Sequence, residues 1–361
     1  MNILQISAGR ERSVALLDNG TAYGWGAFKS LRPAAPADYP GQVCSSDVTE
    51  IGHNRYANPT PQILNPGAPF TAIADGYVDT LAIRPDGTVL SCRPLMVHDA
   101  GMAHTPIAQI QSAATRVAAT ESCGFALQAD GSVWSWGMNV NGQLGRRSTA
   151  ANAEAAAISQ LHRIAALAAG NNHMLALDHR GEVWTWGANT AGQLGNGTLN
   201  AHATPLKISL PAPIKGIAAG DTHSFAIDEN GGLWAWGSNN FGQIGDRAAR
   251  YYTRPIRVKT DFKVAQIDAG MFYSIARSAD GEVFGWGWNG TGQIAQEQIV
   301  STPRPLRIAR LEGIRDIAAG NSHVLASDGE QVLAWGDNRH AACGTAPRQA
   351  VLRQPNRVSL A

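Results

Sequence analysis

The sequence predicts an all-β fold, a seven-bladed β-propeller of four-stranded antiparallel blades that occupies residues 1–361 as a single domain. Three observations predict it. A long word, LAAGNNHMLALDHRGEVWTWGANTAGQLG at Leu167 to Gly195, returns as IAAGDTHSFAIDENGGLWAWGSNNFGQIG at Ile217 to Gly245, with more worn copies before and after. Its anchors Gly9, Gly76, Thr120, Gly170, Gly220, Gly270 and Gly320 make seven copies, the last five standing fifty residues apart. Each copy carries short apolar stretches separated by Gly-bearing turn pairs, the pattern of hairpins. A unit that is apolar on both faces cannot bury itself, and stacking such units face to face around an axis does so.

Within a copy the elements follow in order. The Ala-Ala-Gly word is one strand, Met174 to Leu177 a second and Val183 to Trp186 a third. The second and third are joined by turns at Asn19-Gly20, Asp86-Gly87, Asp130-Gly131, Arg180-Gly181, Asn230-Gly231 and Asp280-Gly281, where Gly accepts a positive φ. A further strand runs from Pro205 to Leu210, with echoes at Pro255 to Val258, Pro305 to Ile308 and Pro355 to Leu360. Only Pro211, Ala212 and Pro213 separate Leu210 from Ile214, so the simplest pairing joins this strand to the Ala-Ala-Gly strand that follows it. On that reading the C-terminal segment Pro355 to Leu360 completes the N-terminal blade and closes the ring. The spacing is irregular only between Gly26 and Phe70, where a Pro-rich insertion at about 27–69 reads as a long surface loop or an element that reaches a partner.

Composition narrows the function classes. A net charge of +1 with 16% charged residues gives no general attraction to nucleic acid or to an anionic membrane, and no basic tail precedes the first copy. No apolar run reaches the length of a membrane span, and the first residues lack a secretory signal, so a cytoplasmic monomer is expected. Cys44, Cys92, Cys123 and Cys343 fall at unrelated spacings and read as reduced, structural thiols. His173, His223 and His323 recur with the repeat, each in a different copy, and are expected to close hydrogen bonds inside their own blades rather than to converge on a metal. Gly285, Gly287 and Gly290 satisfy GxGxxG but lie on a strand word with no helix after it. No nucleophile, zinc or phosphate-loop motif stands apart from the repeat, so neither catalysis nor a cofactor is expected. Nine of the ten tryptophans sit in the Trp-Gly strands and read as blade-to-blade packing.

In an antiparallel blade the loop after Ala-Ala-Gly and the loop after Trp-Gly leave at the same end, so both sets ring one face. A partner site on that face is read from residues the copies do not share: Arg10 and Glu11; Tyr77 and Asp79; Glu121; Asn171 and Asn172; Asp221 and Thr222; Met271 and Phe272; Asn321; and Trp288 and Arg339 from the second loop set. Aromatic, acidic and arginine side chains on a rigid frame suit a protein-binding face.

The words His173, Trp186-Gly187 and Gly192-Gln193-Leu194-Gly195, with His223, Trp236-Gly237, His323 and Trp335-Gly336 in step, resemble the regulator of chromosome condensation repeat family. The likeness spans nearly the whole chain. It departs where Arg12 and Asp79 take the His place, where Cys92-Arg93 replaces Trp-Gly, and where Ala341-Ala342-Cys343-Gly344 replaces the Gly-Gln-Leu-Gly word. The resemblance implies a seven-bladed propeller that acts by binding protein: a scaffold, a guanine-nucleotide exchange factor for a small GTPase, or a proteinaceous enzyme inhibitor. For exchange it implies acidic residues one or two places after the anchor Gly, where this chain has Glu121 and Asp221.

Overall fold

The computed structural model describes residues 1–29, 49–52, 55–65, 67–76, 79–93, 103–110, 113–309 and 311–360. They form seven antiparallel sheets and no helix. Blade four typifies the set: Ile164–Ala169, His173–Asp178, Val183–Gly187 and His202–Ile208, hydrogen-bonded in chain order. First strands of all seven blades line one central channel of about 540 Å³, so the Ala-Ala-Gly strand is innermost and the Pro-bearing strand outermost. The glycines of the six turn pairs all take φ between 79° and 82°, as the sequence requires.

The pairing of the Pro-bearing strand corrects the sequence reading. It joins the Trp-Gly strand before it, with Val183 opposite Ile208 and Thr185 opposite Leu206, not the Ala-Ala-Gly strand after it. Two features decide this. The side chain of Asn189 accepts from the Leu194 N–H at 2.9 Å and folds the Gly-Gln-Leu-Gly loop back on itself, and Asn139, Asn239, Asn289 and Asn338 do the same in their blades. The link Pro211-Ala212-Pro213 favours extended backbone, because each proline biases the residue before it away from helical and turn conformations. It carries the chain across to the next blade, where Ile214 N–H bonds the Gly181 carbonyl at 3.0 Å.

No strand exchange therefore closes the ring. The C-terminal strand Val351–Val358 is the outer strand of blade seven, beside Val332–Asp337, and Ile3–Ala8 opens blade one. Closure is made by side chains and loops: His323 Nε2 meets Ser13 Oγ at 2.9 Å, Trp25 Nε1 donates to the Ala342 carbonyl at 2.9 Å, and Asn321 N–H donates to the Gly9 carbonyl at 3.1 Å. In blade one, Arg55–Ile63 supplies the fourth strand and Thr49–Gly52 a fifth, so part of the Pro-rich stretch is regular sheet.

The repeat residues hold blade to blade. Trp186, Trp236, Trp286 and Trp335 are fully buried, and each indole N–H donates to the carbonyl of Gln143, Gln193, Gln243 or Gln293 in the preceding blade, at 2.7 to 2.9 Å. A buried indole needs such an acceptor. Because that acceptor is backbone, Ala342 serves Trp25 equally well, and the worn word of blade seven loses nothing at this contact. The histidines also act between blades, which corrects the expectation that they bond inside their own. His173 Nε2 lies 2.9 Å from Ser224 Oγ and His223 Nε2 lies 3.2 Å from Ser274 Oγ, each in the following blade. Burial lowers the pKa of His173 and His223 to about 3 and that of His323 to about 4, so all three are neutral donors or acceptors in the fold.

Candidate functional site

At one mouth of the channel the turns after the innermost strands bring Arg10, Glu121, Asn171, Asp221, Met271 and Asn321 together, as the sequence reading expected. Arg10 Nη1 and Glu121 Oε1, from blades one and three, stand 3.6 Å apart, both half open to solvent. Burial raises the pKa of Asp221; a hydrogen bond from the Asn171 side chain opposes the rise and the Glu121 carboxylate adds to it. Two carboxylates thus face one guanidinium here. Backbone bonds tie the ring of turns: Glu121 N–H to the Asn171 carbonyl, Met271 N–H to the Asn321 carbonyl, and Asp221 N–H to the Gly270 carbonyl.

The remaining residues of the sequence reading part company. Phe272 and Trp288 lie farther from the axis with ring centroids 6.3 Å apart, and Phe241 of blade five completes an aromatic cluster at 5.0 Å from Phe272. Tyr273, in the His place, is fully buried and donates to the Gly320 and His323 carbonyls at 2.8 and 2.6 Å, so it is a strut between blades six and seven. Asn172 accepts from Gln143 Nε2 at 3.5 Å, and the Thr222 carbonyl accepts from Ser238 N–H at 2.9 Å. Asp79 is turned into its own blade, where Ser91 Oγ donates to it at 2.6 Å. Glu11 reaches His340 of blade seven at 3.5 Å, and Arg339 is paired with Asp337 in its own loop. Tyr77, Cys44 and residues 30–48 of the Pro-rich stretch lie outside the described residues.

One feature of this face escaped the sequence reading. Met138, Val140, Leu199, Phe241, Tyr251 and Val300 are large apolar side chains left exposed, Val140 at 80% and Val300 at 71%. Met138, Val140, Leu199, Phe241 and Val300 belong to the segments between third and fourth strands in blades three to six, and Tyr251 opens the fourth strand of blade five. The signal was in the sequence, since none of these residues recurs from copy to copy, but the second loop set offers so many variable positions that only exposure separates them from packing residues.

Among the described residues no group of His, Cys, Asp and Glu is placed to hold a metal ion, and no helix is long and apolar enough to cross a membrane. Cys92, Cys123 and Cys343 are free and buried, and burial pushes the Cys92 thiol up to about 12.

The described residues thus form a closed seven-bladed β-propeller whose variable loops gather on one face. The chain belongs to the RCC1-like domain family: that family's model matches residues 37–361, and the regulator of chromosome condensation (RCC1) repeat matches residues 3–28. Human WBSCR16 has a similar structure at 22% identity, with 93% of this chain and 94% of that chain covered and a TM-score of 0.77. Prp20p from Saccharomyces cerevisiae, studied for its binding to Gsp1p and histones, is similar at 20% identity, 88% and 80% coverage and a TM-score of 0.72. Yeast RCC1 (Prp20) bound to Kap60 is similar at 22% identity, 84% and 78% coverage and a TM-score of 0.70. At these identities the likeness carries the fold. No curated protein sequence matches the chain.

Proposed function

We propose that this propeller is a non-catalytic scaffold that binds a protein partner on the loop face. The observation that carries the reading is the concentration of exposed Met138, Val140, Leu199, Phe241, Tyr251 and Val300 on that face. Exposing a large apolar side chain forgoes roughly 1.5–3 kcal/mol of burial, and a cluster of such positions on one side of a rigid disc marks a surface covered in the working state. The test places a photoreactive residue at Val140 on the loop face or at Asp280 on the opposite face. Partner cross-linking from Val140 and none from Asp280 is the expected result; the reverse would reassign the binding face.

A second reading, guanine-nucleotide exchange on a small GTPase, is favoured by Glu121 and Asp221 at the channel mouth, the places where the family resemblance puts acidic exchange residues. Prp20p's binding to Gsp1p points the same way. Exchange requires no cofactor: a face that binds the nucleotide-free GTPase more tightly than the loaded form shifts the equilibrium toward release. Labelled GDP release from a panel of small GTPases tests it, with loss of stimulation in Asp221→Lys as the expected signature. Absence of stimulation for every GTPase would leave the scaffold reading.

A further inference from the structure

The outer part of the loop face has a charge as well as an apolar character. Arg147 follows the exposed pair Met138 and Val140 in blade three, and Arg247 and Arg250 sit between Phe241 and Tyr251 in blade five. All three arginines are exposed, and none of the ion pairs or hydrogen bonds among the described residues engages their guanidinium groups. Neighbouring groups are already committed: Arg146 donates to the Ser135 and Glu154 carbonyls, and Asp246 accepts from the Tyr252 hydroxyl at 2.6 Å and from Asn239 at 3.3 Å. Glu297 is the exposed carboxylate left in these loops.

The patch is continuous. Each loop after a Trp-Gly strand lies on the outer strand of the next blade: Gly142 packs at Ala203, Gly192 at Tyr252 and Thr253, and Gly242 at Pro303. Gly197 N–H donates to the Thr253 carbonyl at 2.7 Å. The outer crescent over blades three to six is therefore one surface, apolar and positive, while the channel mouth inside it carries Glu121 and Asp221.

Resting on the loop-face reading, we propose that this crescent docks an acidic protein surface studded with apolar side chains. Unpaired guanidinium groups beside exposed Phe241 and Tyr251 match the arginine and aromatic enrichment of interface hot spots, the exposed aliphatic side chains add apolar area around them, and arginine pairs with carboxylate through two parallel hydrogen bonds. A polyphosphate partner fits less well. The carboxylates at the mouth would repel it, and Val140, Leu199 and Val300 offer it nothing to hydrogen-bond or stack upon.

The experiment uses the intact protein with a photoreactive residue at Val140 or Val300, with and without Arg147→Glu, Arg247→Glu and Arg250→Glu combined. The expected result is a cross-linked partner peptide rich in Asp and Glu, with yield falling about tenfold or more in the triple variant while its melting temperature stays unchanged. Raising the salt concentration should lower the yield of the unsubstituted protein in parallel. Capture insensitive to the triple reversal, or a cross-linked surface that is neutral or basic, would overturn the inference and leave the loop-face reading standing. Nuclease-sensitive capture, or cross-linking to a second copy of this chain, would also overturn it. Cross-linking confined to the Asp280 face would remove both.

Discussion

Blades four to seven and blades two and three meet their neighbours by different means. In the regular half, a fully buried ring at the His place reaches into the following blade: His173 to Ser224, His223 to Ser274, Tyr273 to the Gly320 and His323 carbonyls, and His323 to Ser13. In the worn half the residues at that place bond at home. Asp79 accepts from Ser91, and the Cys123 thiol donates to the Met138 carbonyl at 2.7 Å. Blade one uses a third device, a buried ion pair from Arg12 to Asp75 of blade two at 2.7 Å. Two packed sheets need no specific bond if their apolar faces fit, as Ile83, Val89, Ile110, Ala114 and Ala126 do between blades two and three. The repeat's His is a seam device that packing can replace, and its loss from a copy does not mean the loss of a blade.

The contrast between the two halves can be tested at four places. The largest effect is expected at Gly220, where a side-chain Cβ would stand 2.4 Å from His223 Cε1 and 2.6 Å from the Gly270 carbonyl. Gly220→Val should destabilise by roughly 3 kcal/mol or more, since neither neighbour can move without opening the seam. Gly216→Ala, whose Cβ would make ordinary contact with the Ile227 side chain, nearest at Cδ1 3.4 Å away, should stay within about 1 kcal/mol. Urea unfolding of the two variants compares them; similar losses would show that the seam is not the sensitive feature.

The second prediction concerns pH. A histidine with a folded pKa of about 3 or 4 takes up its proton only on unfolding once the pH is below 6.5, so its contribution to stability is complete above that value and declines as the pH falls. Between pH 6.5 and 5 the decline is about 2 kcal/mol for each histidine. Asp268 works in the opposite sense. Burial raises it to about 7, against two backbone N–H bonds that favour the charged form, so the folded state holds its proton between pH 7 and 3.8 and gains stability as the pH falls through that window. Asp221 and Asp316 are shifted in the same direction. His223→Gln should therefore flatten the acid slope of the urea midpoint by about one proton, while Cys123→Ala in the worn half should leave the slope unchanged. An unchanged slope in His223→Gln would mean that the ring is not buried neutral.

A smaller effect is expected at the tryptophans. Trp236→Phe removes the bond to Gln193 and should cost about 1–2 kcal/mol, because Ser224 Oγ still satisfies that carbonyl at 2.9 Å. Trp136 is half-buried and makes no hydrogen bond to blade two among the described residues, so Trp136→Phe should cost less. Thermal melts of the pair decide between them. The smallest effect belongs to the channel mouth, where Arg10→Ala breaks an exposed ion pair and should shift stability by less than about 1 kcal/mol. A larger loss in the melt would make the mouth a structural element rather than a docking surface.

Much of this was legible in the chain. The count of blades, the run of the Ala-Ala-Gly strand and the two strands after it, and the face on which the variable loops gather follow from spacing and alternation, and Arg10, Glu121, Asn171, Asp221, Met271 and Asn321 meet where the repeat put them. The pairing of the outer strand is not legible in the chain, because a short link reads as a hairpin, and the loop that competes with it is folded by Asn189, whose side chain accepts from the Leu194 N–H. Asp79 was placed on the face by register and is held in its blade by Ser91, a partner twelve residues away that no periodicity predicts.

A ring of repeated antiparallel sheets is written into the chain's periodicity, because periodic burial on both faces is satisfied by stacking the units against one another. Which neighbour each edge strand pairs with, how the ring closes and which loop residues stay uncovered were decided by tertiary structure. Those outcomes depend on hydrogen bonds and contacts between residues tens or hundreds of positions apart, such as Ser13 with His323, and no local pattern encodes them.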